Sequence, residues 1–262
     1  MRTPPILLAA AAAAALLLTG CAGTADAPGA APSESISETG PTGTLTVFAA
    51  ASLGAAFDDI AGAFESAYPG VDVEPITYDG SSTLATQIVE GAAVDVFASA
   101  DEKNMATVTD GGLAADPQLF ATNTLVIAVP AGNPAGVTGL DDLPSVTTVL
   151  CAVEVPCGSA SQTLLEGAGV EVTPASSEQN VTAVLTKVAA DEADAGLVYA
   201  TDVIGRDDVE SIVPEGAADV VNRYPIVALD DAPNPEAAAA FVAFVCGEQG
   251  QQILAGLGFG AP

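Results

Sequence analysis

Two hydrophobic patterns alternate along the chain from about residue 43, one typical of strands and the other of helices. Residues 43–50, GTLTVFAA, are rich in β-branched and aromatic side chains and predict a strand. The apolar positions from Leu53 to Ala67 fall at helical spacing, and the YPG that follows ends that helix. Further strands are predicted near 71–78, 94–99, 123–130, 146–152, 195–200, 210–214 and 224–231, and helices near 83–90, 101–109, 158–167, 181–190, 235–246 and 250–257. This alternation predicts parallel α/β sheets, in which the apolar run 123–130 is buried on both faces and Pro75 marks an edge or a bend.

Three loops of this pattern are candidate anion sites. In α/β sheets ligands bind beyond the carboxyl ends of the strands, where loops enter helix N-termini. The loops AAASL, YDGSST and EVPCGS, at 49–53, 78–83 and 154–159, each place Ser or Gly where a predicted helix starts. First-turn N–H groups lack partners within the helix and favour negative charge, and a serine adds a hydroxyl donor. Such donors hold an oxyanion without Lys or Arg, and they prefer a fully deprotonated one.

The charge of the chain leaves few basic residues for an anion site, and neutral donors can form one without them. The 262 residues, enough for one large domain or two smaller ones, include 34 Asp and Glu, 5 Lys and Arg and no His, for a formal charge of −29. Nucleic acid and anionic membrane surfaces would be repelled, and most of the acids are expected to coat a solvated surface. A secreted enzyme is disfavoured, since there is no His and no GxSxG motif, and the acidic pairs are adjacent in sequence.

The N-terminus predicts export and a lipid anchor. Met1-Arg2 precedes the apolar run Ile6–Leu18, which is too short to span a bilayer comfortably. The LTGC that ends at Cys21 resembles the lipobox of bacterial lipoprotein signal peptides, and an ordinary secretory signal with a chance cysteine is the alternative. We therefore expect a lipoprotein signal peptide at 1–20, lipidation of Cys21 and a flexible tether at 21–42.

The other cysteines predict one bridge and no metal site. Cys151 and Cys157 are close enough in sequence for a structural disulfide in an oxidising compartment, with free thiols as the alternative. Cys246 is then left over and is expected to be buried in an apolar helix. No Cys or His spacing suggests a metal centre.

Each candidate side chain also has a purely structural interpretation. Ser52 could be an ordinary helix N-cap, and Ser81 could serve only the turn after Asp79-Gly80. Tyr199 could be a core tyrosine with a satisfied hydroxyl.

Taken together, the motifs TVFAAASL, SSTLATQIVEGAAVDVFASAD, EVPCG, NV, AGLVYATDV and a terminal GF resemble the periplasmic molybdate-binding proteins, the substrate-binding subunits of ABC-type molybdate importers. The resemblance runs from about Thr44 to Gly260. It implies a two-lobed periplasmic-binding-protein (type II) α/β fold, with crossing strands between the lobes and the ligand between them. The expected division is 43–123 plus 225–262 for lobe 1 and 124–224 for lobe 2.

The resemblance also implies five ligand-binding residues. Ser52 and Ser81 offer hydroxyl and amide groups from one lobe, Cys157 and Val181 donate backbone N–H groups, and Tyr199 donates its phenolic O–H. Cys157 stands where the family usually has alanine, which a backbone contact tolerates.

The function implied is that of an extracytoplasmic, lipid-anchored, monomeric protein that binds molybdate, and tungstate as well, and docks on an ABC permease. No catalytic residue, cofactor, directly ligated metal or nucleic acid is expected. Another tetrahedral oxyanion, sulfate or phosphate, is the alternative ligand. Asp79 could accept a proton from hydrogen phosphate, so phosphate is not excluded. The structural interpretation of Asp79 is that it only forms the turn before Gly80. A secreted enzyme or a purely structural surface lipoprotein are the remaining alternatives.

Overall fold

A computed structural model of the chain describes residues 40–262, so the predicted signal peptide, Cys21 and nearly all of the predicted tether lie outside the described residues. The described part contains eleven strands and seven α-helices. The strands are β1 (Gly43–Leu45), β2 (Val47–Ala50), β3 (Val71–Val73), β4 (Thr77–Asp79), β5 (Val96–Ala98), β6 (Gln118–Pro130), β7 (Thr148–Cys151), β8 (Ser176–Glu178), β9 (Ala195–Tyr199), β10 (Val209–Ile212) and β11 (Val221–Ala228). The helices are α1 (Gly54–Ala67), α2 (Ser81–Val89), α3 (Glu102–Asp110), α4 (Pro156–Ala168), α5 (Val181–Ala189), α6 (Pro235–Cys246) and α7 (Glu248–Gly256).

The sheet is mixed, which corrects the prediction of parallel sheets throughout. Its strand order is β4-β2-β5-β11-β6-β9-β7-β8, with β10 paired to β6 and with β1 and β3 forming a separate parallel pair. Within the large sheet, parallel pairing is confined to β2 with β4 and β5, and to β7 with β8 and β9. Every pairing of β6, and that of β11 with β5, is antiparallel. The local hydrophobic pattern gives no strand direction, so it could not separate these cases.

Strand β6 connects the two halves of this sheet. Its first half, Gln118–Thr124, pairs with β11, and its second half, Leu125–Pro130, pairs with β9 and β10. Residues 125–130 are all buried, as predicted, although the pairing is antiparallel.

Separate hydrophobic cores flank this connection. One lies around the second half of β6 with β7, β9, α4 and α5. On the other side, α1 and α6 cover one face of the β2–β5 region through Phe57, Phe64 and Phe241, and α2 and α3 cover the other face through Leu84 and Met105. The junction between these packed regions is where the candidate site lies.

Two predicted strands are each divided in two. The predicted strand at 71–78 is interrupted around Pro75, between β3 and β4, and β4 lies at the edge of the sheet. The prediction that Pro75 marks an edge or a bend is confirmed. GTLTVFAA is divided at Thr46, whose N–H donates to Asp95 Oδ2 at 2.8 Å, and β1 and β2 join different sheets. The short strand β8 was not predicted.

Cys151 and Cys157 are joined by a disulfide, and Cys246 is the free cysteine of the described residues. Cys246 is half-buried at the end of α6, so the expectation of a buried cysteine was too strong. Within residues 40–262, no helix has both the length and the apolar character that crossing a membrane requires.

Candidate functional site

The three loops predicted to bind an anion meet at one small cavity. Its lining is Ala50, Ala51, Ser52, Asp79, Gly80, Ser81, Ala100, Val155, Pro156, Cys157, Asn180, Val181 and Tyr199. All five predicted ligand-binding residues are in this set. No Lys or Arg is among these lining residues, so backbone and hydroxyl dipoles are the groups here that could attract an anion.

The cavity admits only a small guest. The space open to the centre of a water molecule is about 10 Å³, which favours a compact ligand over an extended one.

Ser52 lies in a 3₁₀ turn, Ala51–Leu53, at the carboxyl end of β2. Its Oγ lies 3.0 Å from the hydroxyl of the fully buried Tyr224. The N-cap interpretation of Ser52 is wrong, because Ala50 precedes the turn and Leu53 precedes α1. When Tyr224 donates this bond, the Ser52 proton is left to face the cavity.

Ser81 is the first residue of α2 and is 1% exposed. Its Oγ accepts the backbone N–H of Ala100 at 3.0 Å. The hydroxyl therefore contacts a residue 19 positions away and does not serve only its own turn. With one lone pair filled, its proton is available to a guest in the cavity.

Cys157 and Val181 stand in the first turns of α4 and α5. Backbone N–H groups at such positions have no partner inside their helix. The disulfide to Cys151 ties the start of α4 to the end of β7. Asn180 caps α5 by accepting the Ala183 N–H at 2.9 Å. These contacts fix both helix starts at the cavity wall.

Tyr199 ends β9 with its side chain 1% exposed, and its hydroxyl has no hydrogen-bond partner within residues 40–262. The interpretation as a core tyrosine with a satisfied hydroxyl is therefore wrong. Burial raises the pKa of Tyr199 well above its ordinary value, so the phenol stays protonated and can donate. A ligand with a hydrogen-bond acceptor could satisfy this buried, unpaired donor from inside the cavity.

Two carboxylates lie near these donors. Asp79 Oδ1 accepts the Gly80 N–H at 2.7 Å and the Asn180 side-chain amide at 2.8 Å. Asp202 accepts the Tyr199 N–H at 2.8 Å, and burial raises the pKa of its carboxyl to about 7. Both carboxylates are thus occupied by protein N–H groups.

The sequence-based prediction missed the supporting residues Tyr224, Asn180 side chain, Ala100 and Asp202. Tyr224 and Ser52 are 172 positions apart, and Asn180 and Asp79 are 101 apart. A local signal for Asp202 was present in the TDV that follows Tyr199. An acid three residues after the residue that precedes a turn can accept the backbone N–H of that residue, as in a capping box.

In the described residues, no three His, Cys, Asp or Glu side chains come together as ligands for a metal ion. Three of the four basic residues in this range, Lys187, Arg206 and Arg223, form ion pairs with acids. The cavity therefore presents backbone and hydroxyl dipoles to a ligand and no basic side chain.

Comparison with known proteins assigns this architecture to a family. Residues 45–260 match the family model described as bacterial extracellular solute-binding protein. The chain belongs to this family. It is a solute-binding protein and not an enzyme, as predicted, and its extracellular setting agrees with the predicted export.

The relatives of this solute-binding protein include molybdate-binding proteins. It is 44% identical over 234 residues to the molybdate-binding protein ModA of Mycobacterium tuberculosis, a match that covers 86% of this chain and 89% of the relative. It is 28% identical over 227 residues to YvgL of Bacillus subtilis, whose name describes an ABC transporter substrate-binding lipoprotein; that match covers 83% of this chain and 86% of the relative. The predicted resemblance to the molybdate-binding proteins is confirmed.

The fold is that of a periplasmic binding protein. The periplasmic molybdate-binding protein of Azotobacter vinelandii superposes with a TM-score of 0.73 at 21% identity, covering 83% of this chain and 99% of that one. The predicted fold class is confirmed.

Proposed function

We propose that this solute-binding protein is the molybdate-binding component of an ABC importer, and that it binds tungstate as well. One observation carries the proposal: backbone and hydroxyl donors from several loops line one small cavity, whose lining includes no Lys or Arg and the single acid Asp79. The 44% identity to a molybdate-binding protein names the oxyanion that such a site would take.

Neutral donors are sufficient for a dianion. Each hydrogen bond to an ionised acceptor contributes about 1.5–3 kcal/mol net. Five converging donors, from Ser52, Ser81, Cys157, Val181 and Tyr199, would together contribute on the order of 7–15 kcal/mol, against which the cost of association is set. Donors that are fixed by their own partners prefer oxygens without protons, which favours molybdate, tungstate and sulfate over hydrogen phosphate.

The ion bridges two lobes, 43–123 plus 225–262 on one side and 124–224 on the other. Ser52 and Ser81 belong to the first lobe, whereas Cys157, Val181 and Tyr199 belong to the second. A guest that bonds to both favours the closed state by its differential affinity, and the closed form docks on the permease as a monomer. Cys21 carries the lipid anchor on the extracytoplasmic face, an arrangement supported by the relative named as a lipoprotein.

Calorimetric titration of the purified protein with molybdate, tungstate, sulfate and phosphate at neutral pH tests the proposal. We expect one-to-one binding of molybdate and tungstate, with sulfate and phosphate silent at the same concentrations. Heat from sulfate or phosphate alone would overturn the ligand and leave the fold standing. Silence from all four anions would overturn the function.

A further inference from the structure

Asp79 and Asn180 make a hydrogen bond that crosses the cavity. Asp79 is the last residue of β4, and Asn180 immediately precedes α5. The Asn180 Nδ2 donates to Asp79 Oδ1 at 2.8 Å, between positions that are 101 residues apart in the chain. Both residues line the cavity, so the bond lies beside the proposed ligand.

The oxygen and the amide that form this contact each have a further partner. The Asp79 oxygen that faces Asn180 also accepts the Gly80 N–H at 2.7 Å. The Asn180 Oδ1 accepts the Ala183 N–H and caps α5, so the orientation of this amide is fixed at both ends. The first residue of the capped helix is Val181, whose N–H is one of the proposed donors.

The backbones of the two segments are also close. A Cβ placed on Gly80 would lie under 3.0 Å from the carbonyl oxygen of Gln179. A side chain at position 80 would thus push the two walls of the cavity apart. Glycine permits the approach that brings Asp79 within reach of Asn180.

The position of the Asp79 carboxylate in the wall of a proposed dianion site requires a physical explanation. It cannot donate to a deprotonated oxyanion, and its charge repels one. Its observed partners are N–H groups from both walls of the cavity. Its value therefore lies in joining these walls.

We propose that Asp79 and Asn180 form a latch, in which Asp79 is a positioning residue that holds the closed cavity and aims the Val181 N–H through Asn180. This inference rests on the proposed function for its ligand readout. The latch holds the two lobes together with or without the ion, and it breaks before the ion leaves.

A double-mutant cycle tests the latch with molybdate affinity as its readout. Asp79→Ala removes the acceptor, and Asn180→Ser removes the cross-cavity donor but keeps a side chain that caps helices well. We expect each variant to bind molybdate about tenfold more weakly, chiefly through faster dissociation. The double variant should be no weaker than the weaker single variant, because one bond is lost in all three.

Asp79→Asn is the matched control. Its amide oxygen can accept the same two N–H groups, and it removes a negative charge beside the dianion. We expect it to bind molybdate at least as tightly as the unchanged protein. A loss in Asp79→Asn equal to that in Asp79→Ala would overturn the latch, as would additive losses in the cycle or wild-type affinity in both single variants.

Small-angle scattering of the ligand-free protein separates this proposal from the proposed function. Loss of the latch should raise the radius of gyration of Asp79→Ala and Asn180→Ser but not of Asp79→Asn. If the unchanged protein bound none of the four oxyanions, the proposed function would fail, and the scattering comparison would still judge the latch. An unchanged radius of gyration in both disrupting variants would reject it.

Discussion

At Tyr199, the side chain that stability alone would favour differs from the one that the proposed function requires. A buried hydroxyl without a partner costs free energy in the folded state, and a purely structural role would favour phenylalanine at this position. The surrounding residues leave the hydroxyl without a hydrogen-bond partner at the cavity wall, where the proposed oxyanion would supply an acceptor. Under this proposal, ion binding offsets the cost to the ligand-free protein.

Tyr199→Phe should separate these effects. We expect molybdate affinity to fall about tenfold to a hundredfold, because a charge-assisted hydrogen bond worth about 1.5–3 kcal/mol is lost. The free energy of unfolding without ligand should be unchanged or raised by about 1 kcal/mol. Calorimetry and chemical denaturation measure the two quantities.

Tyr68→Phe is the control for this substitution, since Tyr68 ends α1 and does not line the cavity. It should leave molybdate affinity unchanged. Equal affinity of Tyr199→Phe and the unchanged protein would show that the phenol does not contact the ion.

At the residue scale, the sequence predicts the candidate donors better than the distant residues that orient them. Ser81, Cys157 and Val181 lie where helices begin. The start of a helix can be predicted from neighbouring residues in the sequence. The contacts that orient the donors join distant positions, such as Ser52 with Tyr224. Nothing in the strand YPIVALDD distinguishes a tyrosine that packs in the core from one that also orients a serine.

The start of α4 shows how an element positions a donor. Gly158 follows Cys157, and a Cβ at Gly158 would lie under 3.0 Å from the carbonyl oxygen of Ala152. The loop from Cys151 to Cys157 is therefore held by close backbone packing as well as by the disulfide. This packing fixes where the Cys157 N–H points.

Gly158→Ala should lower the free energy of unfolding by about 2 kcal/mol or more, because the added methyl overpacks the loop. Molybdate affinity should fall with it, since the Cys157 N–H is displaced. Gly167→Ala in the same helix is the matched control: its Cβ meets nothing within 4 Å, so it should be neutral or raise stability by about 0.5–1 kcal/mol. Denaturant titration compares the variants, and equal stability of the two would contradict this account of the loop.

Element types follow from the sequence, whereas their pairing does not. The helical periodicity from Leu53 to Ala67 corresponds to α1, and the predicted strands correspond to β1–β7 and β9–β11. The direction of β6 and β11 relative to their neighbours depends on which strands they pair with, and these strands are distant in the chain. The tight pair β1–β3 and the short β8 depend on tertiary contacts of only three residues each.

At the scale of the whole molecule, an acidic chain and an anion site are compatible because they act over different distances. The formal charge of −29 is spread over the chain and is screened by salt within about 10 Å at 0.1 M. The donors in the cavity act at hydrogen-bond distance, where their orientation outweighs the net charge. Three of the four basic residues in the part of the chain that the structure describes are paired with acids instead.

The measurement that tests this account most directly is a crystal structure with molybdate, in which the anomalous signal of molybdenum locates the ion. The account predicts one ion in the cavity, with oxygens about 2.7–3.2 Å from the hydroxyls of Ser52, Ser81 and Tyr199 and from the N–H groups of Cys157 and Val181. No basic side chain should contact it. An ion bound elsewhere, or held by Lys or Arg, would contradict the claim that neutral donors alone bind the oxyanion.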